Sequence, residues 1–246
     1  MAANTQVSVI VPTFGRQKLF PLIYDCFLNQ TIKTAELLIH DDSPERSSFF
    51  DGLPGVRYFH SRERLSIGRK RNFLIEQASS EVIAHFDDDD YYAPRYLATM
   101  LGHLQDCDFV NIGGWFAFCV SERAFGYWDT TQQPLVHFLF QTNKPVGLVR
   151  SLGVQDAYMR GYGFKYLYRK SIWKACRFPD RNHGEDYEWV KKLPETVRMK
   201  TIIDDVGLVL HIIHTSNSSR CFPTHHLPIR LLGRFFGDEV QRYIET

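Results

Sequence analysis

The chain has 246 residues, and its 29 Lys and Arg residues nearly balance 28 Asp and Glu residues, giving a formal net charge of +1. Hydrophobic residues make up 44% and charged residues 23%, which is typical of a globular protein and excludes disordered, collagen-like and coiled-coil chains. A nearly neutral chain has no overall field that would attract nucleic acid.

Two features of the sequence indicate where in the cell the protein is found: its cysteines and its short apolar segments. The five cysteines are widely spaced and form no C-x-x-C pair, so we expect free thiols rather than disulfides or a zinc site. No basic segment followed by an apolar stretch opens the chain, and the longest apolar run, residues 109–120, is too short to span a bilayer. The sequence therefore predicts a cytoplasmic protein.

The first half of the chain shows a regular alternation of apolar strands and amphipathic helices. In chain order, the patterns predict a strand at residues 7–12, a helix at about 18–30, strands at 36–40 and 56–59, a helix at 68–78 and a strand at 81–86. Continuous apolar strands in this order predict an α/β fold with a mostly parallel sheet and helices on both faces. After about residue 109 the periodicity weakens, and we expect an irregular second half.

Polar residues follow three of the predicted strands. They are Pro12 and Thr13, then Asp41, Asp42 and Ser43, and finally the run of residues 87–90. Open α/β sheets bind ligands at the carboxyl ends of their strands, so we expect these residues to share one cleft.

Residues 87–90 are four consecutive aspartates. Adjacent carboxylates repel one another, and Mg²⁺ or Mn²⁺ prefers carboxylate oxygens as ligands. A solvated acidic turn is the alternative, but the position at the end of a buried strand favours a metal site.

Three further clusters each allow a structural and a functional interpretation. Glu185 and Asp186 suit the first turn of a helix, or a general base that takes a proton from an attacking hydroxyl. The basic residues between positions 62 and 71 form either an exposed helix end or a clamp for a diphosphate; they are Arg62, Arg64, Arg69, Lys70 and Arg71. His211 and His214 are either core residues or metal ligands.

Several common catalytic motifs are missing from the sequence. It contains no P-loop, no G-x-G-x-x-G, no G-x-S-x-G nucleophile elbow and no H-E-x-x-H. The indications of function that remain are therefore the acidic clusters and the spacing between them.

Four segments, taken in order, resemble the GT-A fold glycosyltransferases of family 2. They are VSVIVPTF at residues 7–14 with Arg16, LIHDDS at 38–43, FDDDDYYAP at 86–94 and GED at 184–186. The resemblance implies a GT-A fold in one domain over residues 1–246. Residues 1–110 would form the Rossmann-like nucleotide-sugar-binding half, 111–214 the irregular acceptor and catalytic half, and 215–246 a tail.

The resemblance also implies a role for individual residues. Nucleotide contacts are implied for Pro12, Thr13, Phe14, Arg16, Asp41, Asp42, Arg71, Asp87 and Asp88, with Asp41 accepting from a pyrimidine N–H. Mn²⁺ or Mg²⁺ would be held by Asp89, with Asp87, His214 and His211 as further ligands. Asp186 would be the catalytic base and Glu185 would position the acceptor.

The implied activity is an inverting transfer of a sugar from a nucleotide-sugar donor, with a UDP-sugar as the first choice, to a hydroxyl of a carbohydrate or glycoconjugate acceptor. The alternatives are a GT-A protein that binds nucleotide sugars without catalysis, a metal-dependent phosphoester hydrolase and a non-enzymatic interaction module. The last part of the chain, residues 227–243, alternates apolar and basic residues and predicts an amphipathic helix. We expect it to pack on its own domain rather than on a membrane.

Overall fold

The computed structural model describes residues 6–132, 137–139, 144–146, 152–215, 217, 221 and 223–245. The described strands are β1 (Val7–Thr13), β2 (Ala35–Asp41), β3 (Val56–His60), β4 (Val82–His85), β5 (Tyr91–Tyr92), β6 (Phe109–Cys119), β7 (Ala124–Asp129), β8 (His137–Leu139), β9 (Lys144–Val146), β10 (Leu167–Arg169), β11 (Met199–Ile203), β12 (Val209–Ile213) and β13 (His225–Leu227). The described α-helices are α1 (Phe20–Leu28), α2 (Ile67–Gln77), α3 (Tyr96–His103), α4 (Leu152–Arg160), α5 (Lys170–Ala175), α6 (Glu185–Lys191), α7 (Leu232–Phe236) and α8 (Gln241–Ile244). Short 3-10 turns lie at Gln17–Leu19, Leu104–Asp106, Gly163–Lys165, Ile229–Leu231 and Asp238–Val240.

The first half has the predicted order of strands and helices. Strands β3, β2, β1 and β4 lie side by side in that order and are parallel. Helix α2 begins at a Ser66 cap, whose side chain accepts from the Arg69 N–H at 3.2 Å. Gly68 is required in its first turn because a Cβ there would clash with the Pro179 carbonyl. The predicted α/β class with a largely parallel half is confirmed.

The second half is more regular than the sequence indicated. The apolar run that begins at Phe109 is the eleven-residue strand β6, buried along its whole length, which pairs with β7, β10, β11 and β12. The prediction of an irregular half was wrong for this part, because a strand buried on both faces shows no alternation. Residues 133–136, 140–143 and 147–151 of the predicted irregular stretch lie outside the described residues.

Strand β10 joins the two halves into one sheet. It lies between β4 and β6 and is antiparallel to both. Alternate residues of the central strands face opposite sides, so Val9 and Val11 enter the larger apolar cluster whereas Ile10 enters the smaller one. Burying each such side chain contributes about 1.5–3 kcal/mol.

The tail is not the single helix that was predicted. It breaks at Gly237, whose φ of +75° ends α7 before α8 begins. The segment nevertheless packs on its own domain: Leu232, Phe236 and Tyr243 are buried, and the Tyr243 hydroxyl donates to the Leu22 carbonyl at 3.0 Å on α1. Among the described residues, no helix is long and apolar enough to cross a bilayer. No disulfide links the five cysteines, all of which lie in the described part of the chain.

Candidate active site

A cleft of about 700 Å³ opens at the carboxyl edge of the parallel strands. The register explains why the polar residues meet there: Thr13 pairs with Asp41 across β1 and β2, and Ile10 pairs with His85 across β1 and β4. Of the predicted site residues, the cleft is lined by Pro12, Thr13, Phe14, Arg16, Arg71, Asp87, Asp88, Asp89, Glu185, Asp186 and His211. A second cavity of about 840 Å³ lies on the other side of Arg16 and is lined by His214, Asp88, Asp89 and Asp90.

The four aspartates that follow β4 have different partners. Asp88 is buried and accepts from the Thr13 hydroxyl and from Arg16 Nη1 at 2.7 Å. The same Nη1 atom lies 2.6 Å from Asp89 Oδ2, so Arg16 bridges the two carboxylates. Asp90 accepts from the Ile212 N–H at 2.9 Å. Asp87 has a more exposed side chain, and its N–H donates to the Tyr92 hydroxyl at 2.8 Å.

The two late histidines also occupy different positions. His211 Nδ1 lies 2.9 Å from Asp90 Oδ1, its ring stacks on Phe164 with centroids 4.8 Å apart, and its buried Nε2 has no hydrogen-bond partner among the described residues. His214 Nε2 lies 3.0 Å from Asp89 Oδ2, which also accepts from Asn217 Nδ2 at 3.2 Å. His211 therefore presents an unpaired nitrogen, whereas His214 contacts Asp89.

The aspartate run carries more negative charge than its partners compensate. Burial and the neighbouring aspartates, against the opposing effect of Arg71, raise the pKa of Asp87 to about 8. Burial and Asp89 likewise raise the pKa of Asp88 to about 6. Burial would also raise the pKa of Asp89, but the hydrogen bond from His214 and the charge of Arg16 hold it below its ordinary value.

This arrangement fits a divalent cation. Asp87, Asp89 and Asp90 each offer one oxygen, and these oxygens lie within 4.8 Å of one another. Raised carboxylate pKa values mark unbalanced negative charge, and hard cations such as Mn²⁺ and Mg²⁺ take oxygen ligands. His211 lines the same cleft but lies outside this group of three; its Nδ1 contacts Asp90, and its Nε2 has no hydrogen-bond partner among the described residues.

The second acidic pair begins α6 and also lines the cleft. Gly184, at φ +67°, precedes the helix, as the sequence predicted. Glu185 is buried and accepts from Arg71 Nη1, while Arg71 Nη2 lies 3.9 Å from Asp87 Oδ1. Asp186 Oδ2 accepts from the Gly163 N–H at 2.7 Å. Arg71 thus joins the two acidic clusters.

Asp41 and Asp42 do not line the cleft. Asp41 is fully buried; its Oδ1 accepts from Ser43 N–H at 2.8 Å and its Oδ2 from the Tyr58 hydroxyl at 2.8 Å. Asp42 accepts from Lys70 Nζ, from Arg64 Nη1 at 2.5 Å and from the Leu65 N–H at 2.7 Å. Both carboxylates support the cleft wall from behind.

The basic residues are divided between the wall and the surface. Arg64 stacks over Phe14, with its Cζ 3.2 Å from the ring centroid, and Lys70 donates to the Thr13 carbonyl at 2.7 Å. Arg69 instead faces Glu63 on the surface, 3.5 Å away. Gly163 is a site residue that sequence reasoning missed, since it belongs to no motif.

Comparison with known proteins agrees with this geometry. The model for the family "Glycosyl transferase family 2" matches residues 8–169. The chain is 26% identical to the putative glycosyltransferase EpsH of Bacillus subtilis over 74% of this chain and 53% of EpsH. It is 34% identical to a Campylobacter jejuni GalNAc(5)-diNAcBac-PP-undecaprenol β-1,3-glucosyltransferase over 39% of this chain and 33% of that protein. The chain thus spans about half the length, or less, of these curated relatives.

Solved structures share the fold. S. aureus TarS 1–349 in complex with UDP-GlcNAc superposes with a TM-score of 0.63 at 18% identity, covering 86% of this chain and 60% of TarS 1–349. The mannosyltransferase PcManGT from Pyrobaculum calidifontis, in complex with GDP-Man and Mn²⁺, gives a TM-score of 0.54 at 17% identity, covering 87% of this chain and 58% of PcManGT. The predicted GT-A architecture is confirmed.

Proposed function

The chain belongs to glycosyl transferase family 2, and on that premise we propose that it transfers a sugar, with inversion, from a nucleotide-sugar donor to a hydroxyl of a carbohydrate or glycoconjugate acceptor. The observation that carries this proposal is that Asp186 lines the same cleft as Asp87, Asp88 and Asp89. A carboxylate in one cleft with a cluster suited to a cation supplies the two needs of the reaction, a base for the acceptor and charge compensation for the leaving diphosphate.

Asp186 is the proposed base. It takes the proton of the acceptor hydroxyl as the oxygen attacks the anomeric carbon and the bond to the diphosphate breaks. The Gly163 N–H contacts its Oδ2 at 2.7 Å and the Tyr187 N–H its Oδ1 at 2.6 Å, and, unlike Asp41 and Asp42, Asp186 lines the cleft. Glu185, neutralised by Arg71, is proposed to position the acceptor side of the site.

The nucleotide is proposed to lie along Pro12, Thr13, Phe14 and Arg16. Phe14 is 40% exposed; Arg64 covers one face of its ring, so a base would stack on the other face. For Asp41 and Asp42 we propose a supporting role, because their oxygens are taken by protein donors. For the same reason we propose that Arg71 pairs with Glu185 and Asp87 and does not bind the diphosphate.

The cation is proposed to be Mn²⁺ or Mg²⁺, held by Asp89, Asp87 and Asp90 with His211 Nε2. When bound, it would supply Lewis-acid stabilisation of the charge on the leaving diphosphate. His214 is proposed to orient Asp89 through their 3.0 Å contact.

The donor is proposed to be a UDP-sugar, with a GDP-sugar as the second choice. TarS is described in complex with UDP-GlcNAc and PcManGT in complex with GDP-Man and Mn²⁺, and both share this fold. The cytoplasmic location remains part of this proposal and rests on the spacing of the cysteines.

The first experiment is thermal unfolding with UDP, GDP, dTDP and CDP, each with and without Mn²⁺. Ligand at about 100 times its Kd adds about 2.7 kcal/mol to the unfolding free energy, so a Mn²⁺-dependent shift with one nucleotide identifies the donor pool. If no nucleotide shifts the transition of a well-folded sample, the interaction-module alternative is favoured and the proposal fails.

The second experiment tests catalysis. Asp186→Asn should keep nucleotide affinity and lower the turnover of donor by about 10²–10⁴-fold, measured as nucleotide release. Glu188→Gln is the matched control, because Glu188 lies on the same helix but pairs with Lys192 and Arg181. Turnover unaffected by Asp186→Asn would remove Asp186 as the base. Nucleotide binding without any turnover in the wild-type protein would favour the non-catalytic binder, and release of inorganic phosphate without acceptor would favour the hydrolase.

A further inference from the structure

The segment from Gly161 to Tyr166 contacts both acidic clusters of the cleft. The Gly163 N–H donates to Asp186 Oδ2 at 2.7 Å. On the other side, the Tyr92 hydroxyl donates to the Phe164 carbonyl at 3.0 Å and accepts from the Asp87 N–H at 2.8 Å. The position of this segment therefore sets the position of a hydrogen bond to Asp186.

The backbone of this segment is strained. Tyr162 has φ +63° and ψ +72°, a left-handed conformation that costs a residue with a side chain about 1–3 kcal/mol. Gly163 has no room for a side chain, since a Cβ there would lie 2.8 Å from Arg71 Nη2. Such a backbone persists only where surrounding contacts hold it.

Lys165 and Asn111 supply such contacts. Lys165 is fully buried, and its Nζ donates to Asn111 Oδ1 at 2.7 Å and to the Met159 carbonyl at 3.0 Å. Asn111 Nδ2 donates to the same carbonyl at 2.7 Å. The resulting triangle fixes the last turn of α4 to β6, directly before the strained residue.

Packing alone does not account for a lysine at this position. Its ammonium lies 4.8 Å from the centroid of the Trp115 ring. Burial lowers the pKa of Lys165 well below its ordinary value, against the opposing effect of the charge of Asp186. An unbranched apolar side chain would fill this space without the cost of removing an ammonium from water.

We propose that Lys165 is a positioning residue, which holds the strained turn so that the Gly163 N–H fixes Asp186 for proton transfer. This inference rests on the proposed function for its kinetic consequence, but its geometric part stands on the hydrogen bonds alone. A reacting group displaced by about 1 Å can cost about 10²-fold in rate, so a contact one step removed from the base has a measurable effect.

The geometric test follows the Gly163 amide by NMR in protein labelled with ¹⁵N-glycine. Asp186→Asn identifies the resonance, because it changes the acceptor of that N–H. Lys165→Met should also move this resonance, while Lys170→Met should not. Lys170 is the matched control: its Nζ also donates to a backbone carbonyl, that of Ala78 at 2.8 Å, away from the cleft. A Gly163 resonance unmoved by Lys165→Met overturns the inference.

The kinetic test separates this inference from the proposed function. Lys165→Met should lower kcat by about 10–100-fold with nucleotide Kd changed less than about twofold, and Lys165→Gln, which keeps an N–H donor, should recover part of the rate. In the Asp186→Asn background Lys165→Met should cause no further loss; a multiplied loss would overturn action through Asp186. If the Gly163 resonance moves but the wild-type protein turns over no donor, the proposed function fails while the positioning geometry holds. Where Lys165→Met does not fold, Lys165→Gln is used for both measurements.

Discussion

The aspartates that follow β2 and those that follow β4 stand at the same edge of the sheet, yet the protein satisfies them differently. Asp42 is compensated by Lys70 and Arg64, and Asp41 by two neutral hydroxyls and an N–H. The β4 group, residues 87–90, has Arg16 as the cation bridging two of its carboxylates and a pKa of Asp87 raised to about 8.

The difference is that the same residue type at equivalent strand ends is paired within the protein in one group and, in our proposal, binds a ligand in the other. The carboxylates of the β2 pair have hydrogen-bond donors from the protein itself. The β4 group, in contrast, has carboxylate oxygens close together and too little positive charge around them. Substitutions should therefore affect mainly stability in the first group and mainly ligand binding in the second.

The largest expected effect is on stability. Asp42→Ala leaves the buried Lys70 ammonium without its carboxylate, and breaking a buried ion pair from one side costs about 3–5 kcal/mol. Urea unfolding measures this loss. Asp51→Ala is the control, because the Asp51–Arg46 pair is exposed to solvent and should contribute little to the unfolding free energy. Equal losses in the two variants would contradict the contrast between the groups.

Asp89→Ala, in contrast, should weaken ligand binding more than it lowers stability. We expect nucleotide affinity to lose its dependence on Mn²⁺, with Kd in the presence of Mn²⁺ weakened by about 100-fold, or about 2.7 kcal/mol. Isothermal titration calorimetry measures this change. Without metal, the variant loses the repulsion from the neighbouring aspartates but also the contacts with Arg16 and His214, so its unfolding free energy should change less than that of Asp42→Ala. Mn²⁺-dependent binding that survives would remove Asp89 from the metal site.

Asp41→Asn should give a smaller loss of stability. The variant keeps the shape of the side chain but weakens the bonds from Ser43 and Tyr58, and one such bond contributes about 1–2 kcal/mol. UDP affinity should change little. A tenfold weaker Kd with unchanged stability would instead support the base contact that the resemblance implied for Asp41.

The smallest expected effect is on the way the unfolding free energy changes with pH, measured in EDTA. The pKa of Asp87 is about 8 in the folded state and near 3.9 when unfolded, so the folded state binds the extra proton between these values. The unfolding free energy should therefore fall as pH rises through this window, and Asp87→Asn should flatten that fall. Because 34% of the side chain is exposed, solvent reduces its size. Identical pH profiles of Tm would contradict the raised pKa.

How far the sequence predicts the molecule depends on the range of the interactions. The periodicity of β1, α1, β2, β3, α2 and β4 is local, and it predicted their order. Strand β6 was missed because burial on both faces removes alternation, and the tail was predicted as one helix because Gly237 alone does not reveal its positive φ. Contacts such as Gly163 with Asp186 or Asp90 with His211 join residues 23 and 121 positions apart, and no local pattern encodes them.

The position of β10 and of the tail has a consequence for synthesis of the chain on the ribosome. Strand β4 gains its second neighbour only when residues 167–169 emerge, and α1 gains its Tyr243 contact later still. The amino-terminal half therefore leaves the ribosome with an open sheet edge and an uncovered apolar face. Its final folding step comes late in translation, and a truncation before Tyr243 should yield chains that associate through that face rather than a smaller nucleotide-binding domain.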